Sequence, residues 1–209
     1  MAATFSLILA IVLLRQGVAQ ARPGFSPTAA VGDILTRIEC VSGYTATVYA
    51  EGLSSPDGLA FSPDGVLYVA EESAGQVSRV GSDGTSTPVL TGLESPEGIA
   101  FDDRGNLYVV EDIKGGRVVT MATNGMTATL ATGLDAPEGI VWVKDGSSGG
   151  TLYLTESNIA YALSISSIVP GDYRTYVTAI SLLGEQTRIL TTTGLITPIG
   201  FPIPSLVEG

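Results

Sequence analysis

The chain has 209 residues, a length that suits one globular domain, and its 26 glycines with many Thr, Val, Leu and Tyr residues favour strands joined by tight turns. Ten basic and 21 acidic residues give a net charge of −11, which argues against nucleic acid or anionic lipid as partners because both require a basic surface. Histidine is absent, which excludes His-based triads, His general bases and His metal ligands within this chain.

The N-terminal segment differs from the rest of the chain. It begins with the uncharged apolar run MAATFSLILAIVLL, and the small residues Ala19 and Ala21 precede Arg22. The run is shorter than the roughly 20 apolar residues of a comfortable membrane span. Residues 1–21 are therefore predicted to be a secretory signal peptide, which implies a secreted, periplasmic or extracellular protein. An uncleaved N-terminal anchor is the alternative, and no later segment is predicted to cross a membrane.

Residues 22–43 are interpreted as a lead-in segment before the folded domain, which is predicted to span 44–209. Cys40 lies in this segment and is the only cysteine, so no intrachain disulfide can form. We interpret it as a small, semi-buried apolar residue.

The folded domain contains a repeat. Three matching stretches begin at Gly52 (GLSSPDGLAFSPDGVLYVAEE), Gly92 and Gly133, with spacings of 40 and 41 residues, and a weaker copy (GLITPIGF) begins 61 residues later at Gly194. A self-similar period near 40 with several short strands in each unit indicates an all-β fold, a β-propeller of four-stranded blades. Blade repeats are predicted to start near residues 53, 93, 134 and 195.

The second repeat shows how one blade is built. Strands are predicted at 99–101, 107–110, 117–121 and 127–131, and turns are predicted at 102–106 and at the favoured Asn124-Gly125 pair. Alternation along the first strand of each repeat predicts two packing faces. One face carries Leu59/Phe61, Ile99/Phe101 and Ile140/Trp142, and the other carries Ala60, Ala100 and Val141.

The number of blades is too small for a closed ring. The chain supplies about three and a half blades, with an insertion predicted near 167–178, whereas closed propellers have roughly 4 to 8. We therefore interpret the sequence as a fragment of a longer propeller or a truncated gene product, which would expose sheet edges and tend to associate. The segment from Thr45 resembles a fourth strand that lacks the three strands before it.

The blade pattern is similar to that of the gluconolactonase and regucalcin-like superfamily, and equally to NHL-repeat propellers. Its signature is Gly-Leu, then Pro, an acid and Gly, then a hairpin ending in Leu-Tyr-Val and a further acid. The first resemblance implies six blades in the complete protein and a divalent cation, such as Ca²⁺, at the mouth of the central channel, where it would polarise a lactone carbonyl and help generate the attacking water. The matching metal-ligand candidates are Glu97 and Glu138, with Asp57 as the shorter variant and Asn158 as an amide ligand. The fourth copy departs from the pattern because Ile199 stands at the acid position.

A second set of acids closes each hairpin. Antiparallel pairing predicts that Asp57 lies opposite Glu71 or Glu72, that Glu97 lies opposite Glu111 or Asp112, and that Glu138 approaches Glu156. Opposed like charges on neighbouring strands are unfavourable by up to about 1 kcal/mol, so backbone donors, basic side chains, a raised pKa or a cation must compensate. The strand-end acids Glu71, Glu111 and Glu156 are therefore candidate ligand-binding residues.

A structural role is the alternative for both sets of acids, because a feature present in every repeat is usually required by the repeat itself. Four other residues are predicted to form turns, and the repeat aromatics are predicted to pack rather than to stack on sugars. The turn residues are Asp64, Asp83, Asn124 and Asp145, and the aromatics are Trp142, Tyr68, Tyr108 and Tyr153.

Three functions remain open. The first is a metal-dependent hydrolase acting on a sugar-lactone-like small molecule. The second is a non-catalytic NHL-like propeller that binds an extracellular protein or glycan. A quinoprotein-like sugar dehydrogenase ranks lowest, because its chemistry is expected to use a His base and the chain has none.

Overall fold

The computed structural model describes residues 47–146, 149–157, 172–196 and 202–204. These residues form thirteen strands in three antiparallel sheets, and no helix among them could cross a membrane. The signal peptide, the lead-in segment 22–43, Cys40 and Asn158 lie outside the described residues.

Each sheet is built from consecutive strands paired in chain order. Sheet 1 contains β1 (Pro56–Phe61), β2 (Leu67–Glu71), β3 (Gln76–Val80) and β4 (Ser86–Thr91). Sheet 2 contains β5 (Pro96–Phe101), β6 (Leu107–Glu111), β7 (Lys114–Met121) and β8 (Thr127–Asp135). Sheet 3 contains β9 (Pro137–Asp145), β10 (Gly149–Ser157), β11 (Asp172–Ser181), β12 (Gln186–Ile196) and β13 (Pro202–Pro204). The all-β prediction and the four-stranded blade are confirmed.

Sheet 3 differs from the sequence prediction in two places. Most of the segment predicted as an insertion near 167–178 belongs to β11, which pairs with β10 from Thr175 to Ser181 and is therefore the regular third strand. The fourth repeat, predicted to start near 195, continues β12 as far as Ile196, and β13 then pairs with β12. The outer edge of β12 offers free backbone groups to the next stretch of chain, so β13 extends sheet 3 instead of starting a new one.

The sheets stack face to face through apolar side chains. We call the face of a sheet that meets the preceding sheet its leading face, and the opposite one its trailing face. Ala60, Tyr68 and Ala70 on the trailing face of sheet 1 belong to the same core as Ile99 and Val109 on the leading face of sheet 2. The core between sheets 2 and 3 repeats this arrangement and contains Tyr108, Val110, Leu152, Leu154 and Ile180. The predicted division of the first strands into two faces is correct.

The segment before sheet 1 takes the place of an outermost strand. Ala50 and Leu53 pack against Leu67, Val69 and Val80 on the leading face of sheet 1. Leu90 and Leu93 occupy the equivalent positions against sheet 2, and Ala131 and Leu134 occupy them against sheet 3. Residues 47–53 have no strand partner within the described part of the chain, in agreement with the orphan fourth strand predicted from Thr45.

The hairpin turns use the residues that the sequence predicted. The Asp64 carboxylate accepts a hydrogen bond from Ser62, that of Asp83 from the Thr85 hydroxyl and that of Asp145 from Thr151, while the Asn124 side chain accepts one from the Met126 N–H. These contacts lower the pKa of the exposed Asp64 and Asp83 carboxyls through hydrogen bonds from Ser62 and Thr85 respectively. The turn role of Asp64, Asp83 and Asn124 is confirmed, whereas Asp145 is the last residue of β9.

Candidate functional site

The candidate site lies at the junctions, the segments that lead from the last strand of one sheet, or from residues 47–53, into the first strand of the next sheet. At each junction the residue before proline adopts a left-handed conformation, with φ of 47° at Ser55, 47° at Ser95 and 48° at Ala136. A residue before proline normally prefers an extended conformation, so this backbone is strained and must be held by its surroundings. The carbonyl oxygens of these three residues accept hydrogen bonds at the end of the second strand of each sheet, at 3.0, 2.9 and 3.1 Å. The donors are the N–H groups of Glu72, Asp112 and Ser157.

The pairing register places each junction acid outside the regular ladder. Pro56 pairs with Glu71 and Pro96 with Glu111, and the register then shifts before Leu59 and Ile99. Asp57 and Glu97 therefore sit in bulges, one position away from the strand-end acids. The register also shifts in sheet 3, after Pro137 pairs with Glu156. The predicted proximity of the two acids along each hairpin is confirmed to within one residue.

The strand-end glutamates hold the junctions in place. Glu71, Glu111 and Glu156 are almost completely buried. Their carboxylates accept hydrogen bonds from the backbone N–H groups of Ser54 at 2.7 Å, Glu94 at 3.0 Å and Asp135 at 2.6 Å. Because all three donors lie two residues before the junction proline, each glutamate fastens the incoming chain to the end of its second strand.

The rest of each carboxylate is satisfied by a partner that differs from sheet to sheet. Glu71 accepts from Gln76 Nε2 at 2.8 Å and Ser78 Oγ at 2.5 Å, whereas Glu111 accepts from Arg117 Nε at 2.5 Å. A second Arg117 nitrogen, Nη2, donates to Glu111 at 3.0 Å, and these contacts raise the pKa of the Arg117 guanidinium. Glu156 accepts from the Thr178 hydroxyl and lies 3.6 Å from Arg188 Nη2. These contacts support the structural role that the sequence analysis gave as the alternative to ligand binding. A ligand at these glutamates would have to displace their internal hydrogen-bond partners.

The junction acids converge between the sheets. β5 packs against β1 on one side and β9 on the other, so the three junctions lie side by side at one end of the stack. Glu97 is half-buried, and burial is the main cause that raises the pKa of its carboxyl to about 8. The negative charges of Asp57, Asp112 and Glu138 raise this pKa further, as does a hydrogen bond between Glu97 and Asp112. Glu97 therefore carries a proton at neutral pH and belongs to a four-acid group drawn from three sheets.

Two glycines make this convergence possible. A β-carbon on Gly58 would collide with the carbonyl oxygen of Glu97, and one on Gly98 would collide with that of Glu138. Only glycine allows neighbouring junctions to approach so closely. The acid and the glycine of each junction thus have linked roles, since the glycine of one sheet makes room for the backbone of the next acid.

The four-acid group consists of Asp57, Glu97, Asp112 and Glu138, and Asp112 is the member that the sequence did not select as a site residue. It was considered only as a residue opposite Glu97. Its position directly after the strand-end glutamate could have indicated that Asp112 belongs to the site. The first repeat also has an acid at this position, Glu72, whereas the third has Ser157.

The chemistry open to this group follows from its charge and protonation. A protonated carboxyl can donate a hydrogen bond or a proton, and the same oxygens can bind a hard cation once the proton leaves. Within the described ranges no set of three or more His, Cys, Asp or Glu side chains has an arrangement that would hold a metal ion. Asp57, Glu97 and Glu138 are thus brought together, and a full ligand set would need groups beyond these ranges.

A cleft of about 570 Å³ lies at the opposite end of the stack, between the hairpin turns of sheets 1 and 2. Its apolar lining includes Tyr68 and Phe101, whose rings meet edge to face with centroids 4.9 Å apart. In the next interface Trp142 stacks on Tyr108 instead, with centroids 6.1 Å apart. Tyr68, Tyr108 and Trp142 therefore pack between sheets, as predicted, whereas Tyr153 lies beside Val141 on the trailing face of sheet 3. The cleft is separate from the acids.

The fold and the acid group define the class of protein: the described residues are part of a β-propeller. No family model and no curated protein matches the chain. Among solved structures it is similar to XC5397 from Xanthomonas campestris, a gluconolactonase, with a TM-score of 0.55 and 15% identity over 75% of this chain and 59% of that one. Virginiamycin B lyase from Staphylococcus aureus matches with a TM-score of 0.47 and 14% identity over 74% of this chain and 56% of that one.

The match to a solved gluconolactonase agrees with the resemblance of the blade pattern. At 15% identity the likeness shows the fold alone. The chain spans less than two thirds of the length of the structures that it matches.

Proposed function

We propose that this chain is part of a propeller that binds a divalent cation at the junction end of the stack and hydrolyses a sugar-lactone-like substrate there. The observation that carries the proposal is the position of Glu97, whose pKa is raised to about 8 by burial and by the acids around it. Four acids gathered at one half-buried place are costly without a compensating proton or cation. A cation such as Ca²⁺ would replace that proton.

The residues present fit a hard cation in their chemistry. Glu97, Asp57 and Glu138 would supply carboxylate oxygens, which Ca²⁺ prefers, and Asn158 is the proposed amide ligand. When bound, the cation would polarise the lactone carbonyl and activate a water molecule. The Glu97 carboxyl must lose its proton to bind, so we expect the affinity for the cation to increase as the pH rises towards 8.

A second candidate is a non-catalytic propeller that binds an extracellular protein or glycan. The observation that favours it is the threefold repetition of the junction, in which each strand-end glutamate binds the same backbone position. Catalytic sites are asymmetric, whereas structural devices repeat. In both candidates the protein is proposed to be secreted, on the basis of the apolar segment at residues 1–21.

Calcium titration by calorimetry of the purified chain at pH 6 and pH 8.5 tests the cation. We expect binding that is tighter at pH 8.5 and is weakened at least tenfold in Glu97→Gln and in Glu138→Gln. Glu185→Gln is the matched control, because it makes the same chemical change at an exposed residue next to a hairpin turn. The absence of calcium binding in the parent chain would contradict the cation site, and unchanged affinity in both site variants would place it elsewhere.

A hydrolysis assay separates the two candidate functions. We expect acid release from a sugar lactone that depends on added Ca²⁺ and stops on chelation. Calcium binding without any lactone hydrolysis would favour the binding module.

A further inference from the structure

Sheets 1 and 3 each have one face that no other sheet covers within the described residues. On the leading face of sheet 1, Leu59 is 42% exposed, whereas the equivalent Ile99 in sheet 2 is 5% exposed. On the trailing face of sheet 3, Val141 is 53% exposed, whereas the equivalent Ala100 in sheet 2 is 7% exposed. Phe61 and Val143 extend the two exposed surfaces.

The two exposed faces are the two halves of an interface that already occurs twice in the molecule. In the contacts between sheets 1 and 2 and between sheets 2 and 3, a trailing face meets a leading face. The leading face of sheet 1 repeats the apolar residues of sheet 2, with Leu59 and Phe61 where sheet 2 has Ile99 and Phe101. On the trailing face of sheet 3, Tyr153 stands where sheet 2 has Tyr108, although Thr155 stands where it has Val110. We infer that two copies of this chain associate head to tail, with sheet 3 of each copy packed on sheet 1 of the other.

A glycine at the exposed face fits this arrangement. Gly58 and Gly98 each make room for the backbone of the next junction, whereas the nearest atom to a β-carbon on Gly139 is Thr155 Oγ1, within its own sheet, at 3.3 Å. The third junction therefore has an open space beside its glycine. At the first two junctions the equivalent space is filled by the backbone of the acid in the next sheet. In the head-to-tail pair, the backbone of Asp57 from the second copy occupies that space.

The number of sheets favours a pair over other assemblies. Head-to-tail contacts form a closed ring only when the rotations between successive sheets add up to a full turn. Closed propellers contain roughly 4 to 8 blades. The described residues of one copy form three sheets, which falls below that range, whereas those of two copies form six and those of three copies would exceed it. The pair also continues the series of junction acids, because Asp57 of one copy follows Glu138 of the other.

The segment 47–53 must move to allow this contact. Its apolar side chains Ala50 and Leu53 pack on the leading face of sheet 1, and the Tyr49 carbonyl lies against Gly84. It has no strand partner in the described part of the chain. The competing strand is β12 of the second copy, which is paired with β11 along its length. We expect a strand held by backbone pairing to displace a segment that has no strand partner in the described part of the chain.

Sedimentation equilibrium of the purified chain tests the inference, which does not depend on the proposed function. We expect a mass twice that of one chain. Phe61→Asp and Val141→Asp should each lose the dimer, because each places a charge in both contacts of the ring. Met126→Asp is the matched control, since Met126 is 70% exposed but lies at a hairpin turn away from both faces.

Mixing the two variants identifies the head-to-tail arrangement. The intact trailing face of Phe61→Asp can pack on the intact leading face of Val141→Asp, so the mixture should regain a 1:1 dimer that neither variant forms alone. Circular dichroism checks that both variants keep their strand content. A monomeric parent chain, or a mixture that stays monomeric while both variants are folded, would overturn the inference.

Hydrogen exchange tests the movement of 47–53. We expect faster amide exchange at these residues in the dimer than in monomeric Phe61→Asp, because β12 of the second copy displaces them. Equal or slower exchange in the dimer would overturn this docking arrangement.

Discussion

The carbonyl oxygen of Glu97 occupies the space that a β-carbon on Gly58 would need, and the carbonyl oxygen of Glu138 stands in the same relation to Gly98. Neighbouring sheets therefore touch backbone to backbone at their junctions. This contact brings the junction acids together, and it explains why Asp57 and Glu97 are followed by glycine.

The first prediction concerns these glycines. Gly98→Ala should destabilise the chain by about 2 kcal/mol or more, because the backbone of sheet 3 must move to admit one methyl group. Urea denaturation measures the loss. Gly139→Ala is the matched control and should change stability by less than about 0.5 kcal/mol when both are measured in monomeric Phe61→Asp. Equal losses in the two variants would show that the contact between junctions is not the cause.

The second prediction concerns the buried ion pair of sheet 2. Glu111 is almost completely buried and Arg117 is partly exposed. Arg117→Gln therefore removes the guanidinium and leaves a buried carboxylate whose remaining donor among the described residues is the Glu94 N–H. We expect a loss of about 2 kcal/mol in the free energy of unfolding, less than for a pair buried on both sides. Lys144→Met removes the exposed pair with Asp103 and should cost less than about 1 kcal/mol. A loss for Arg117→Gln no larger than for Lys144→Met would refute a structural role for Glu111.

The third prediction is a pH dependence that arises from Glu97. Burial and the surrounding acids raise the pKa of its carboxyl to about 8 in the folded chain, from an ordinary value of 4.5. The folded chain therefore binds more protons than the unfolded chain between these values, and this carboxyl lowers the stability as the pH rises from about 4.5 to about 8. Glu97→Gln should lack this decline and should unfold at a higher urea concentration than the parent at pH 9. Parallel pH profiles for the two proteins would exclude a raised pKa.

Much of the fold could be predicted because the same pattern of strands and turns occurs in three repeats. Turn residues and alternation gave the strands of sheets 1 and 2, and they also gave the division of Leu59 and Ala60 between two faces. The insertion predicted near 167–178 was wrong for most of its length, because the long interval between repeats hid the strand that contains Tyr176 and Ile180.

The site was predicted less completely than the fold. Spacing within one hairpin indicates that Asp57 lies near Glu71, but it carries no information on the distance between sheets that brings Asp57 and Glu138 to Glu97. The left-handed conformation of Ser55 was also not predictable, because proline at the next position normally opposes it. The placement of Asn158 stays a prediction.

The fourth prediction concerns the additional residues in the turn of the third repeat. A β-carbon on Gly150 would collide with the indole ring of Trp142, which stacks on Tyr108. Gly150→Ala should cost about 2 kcal/mol and shift the fluorescence of Trp142, the only tryptophan, to longer wavelength. Gly149→Ala is the control, since its nearest neighbour is a carbonyl oxygen 4.0 Å away. Unchanged fluorescence in Gly150→Ala would contradict the position of the ring.

The most direct test of the converging acids is a site-resolved NMR titration of the Glu97 side-chain carboxyl in the purified chain. We predict a midpoint near pH 8 that falls in Asp57→Asn and in Glu138→Gln, because each variant removes one negative charge. Added Ca²⁺ should lower the midpoint further if the proposed cation binds there. A midpoint near the ordinary glutamate value of 4.5 in the parent chain would contradict the convergence of Asp57, Asp112 and Glu138 on Glu97.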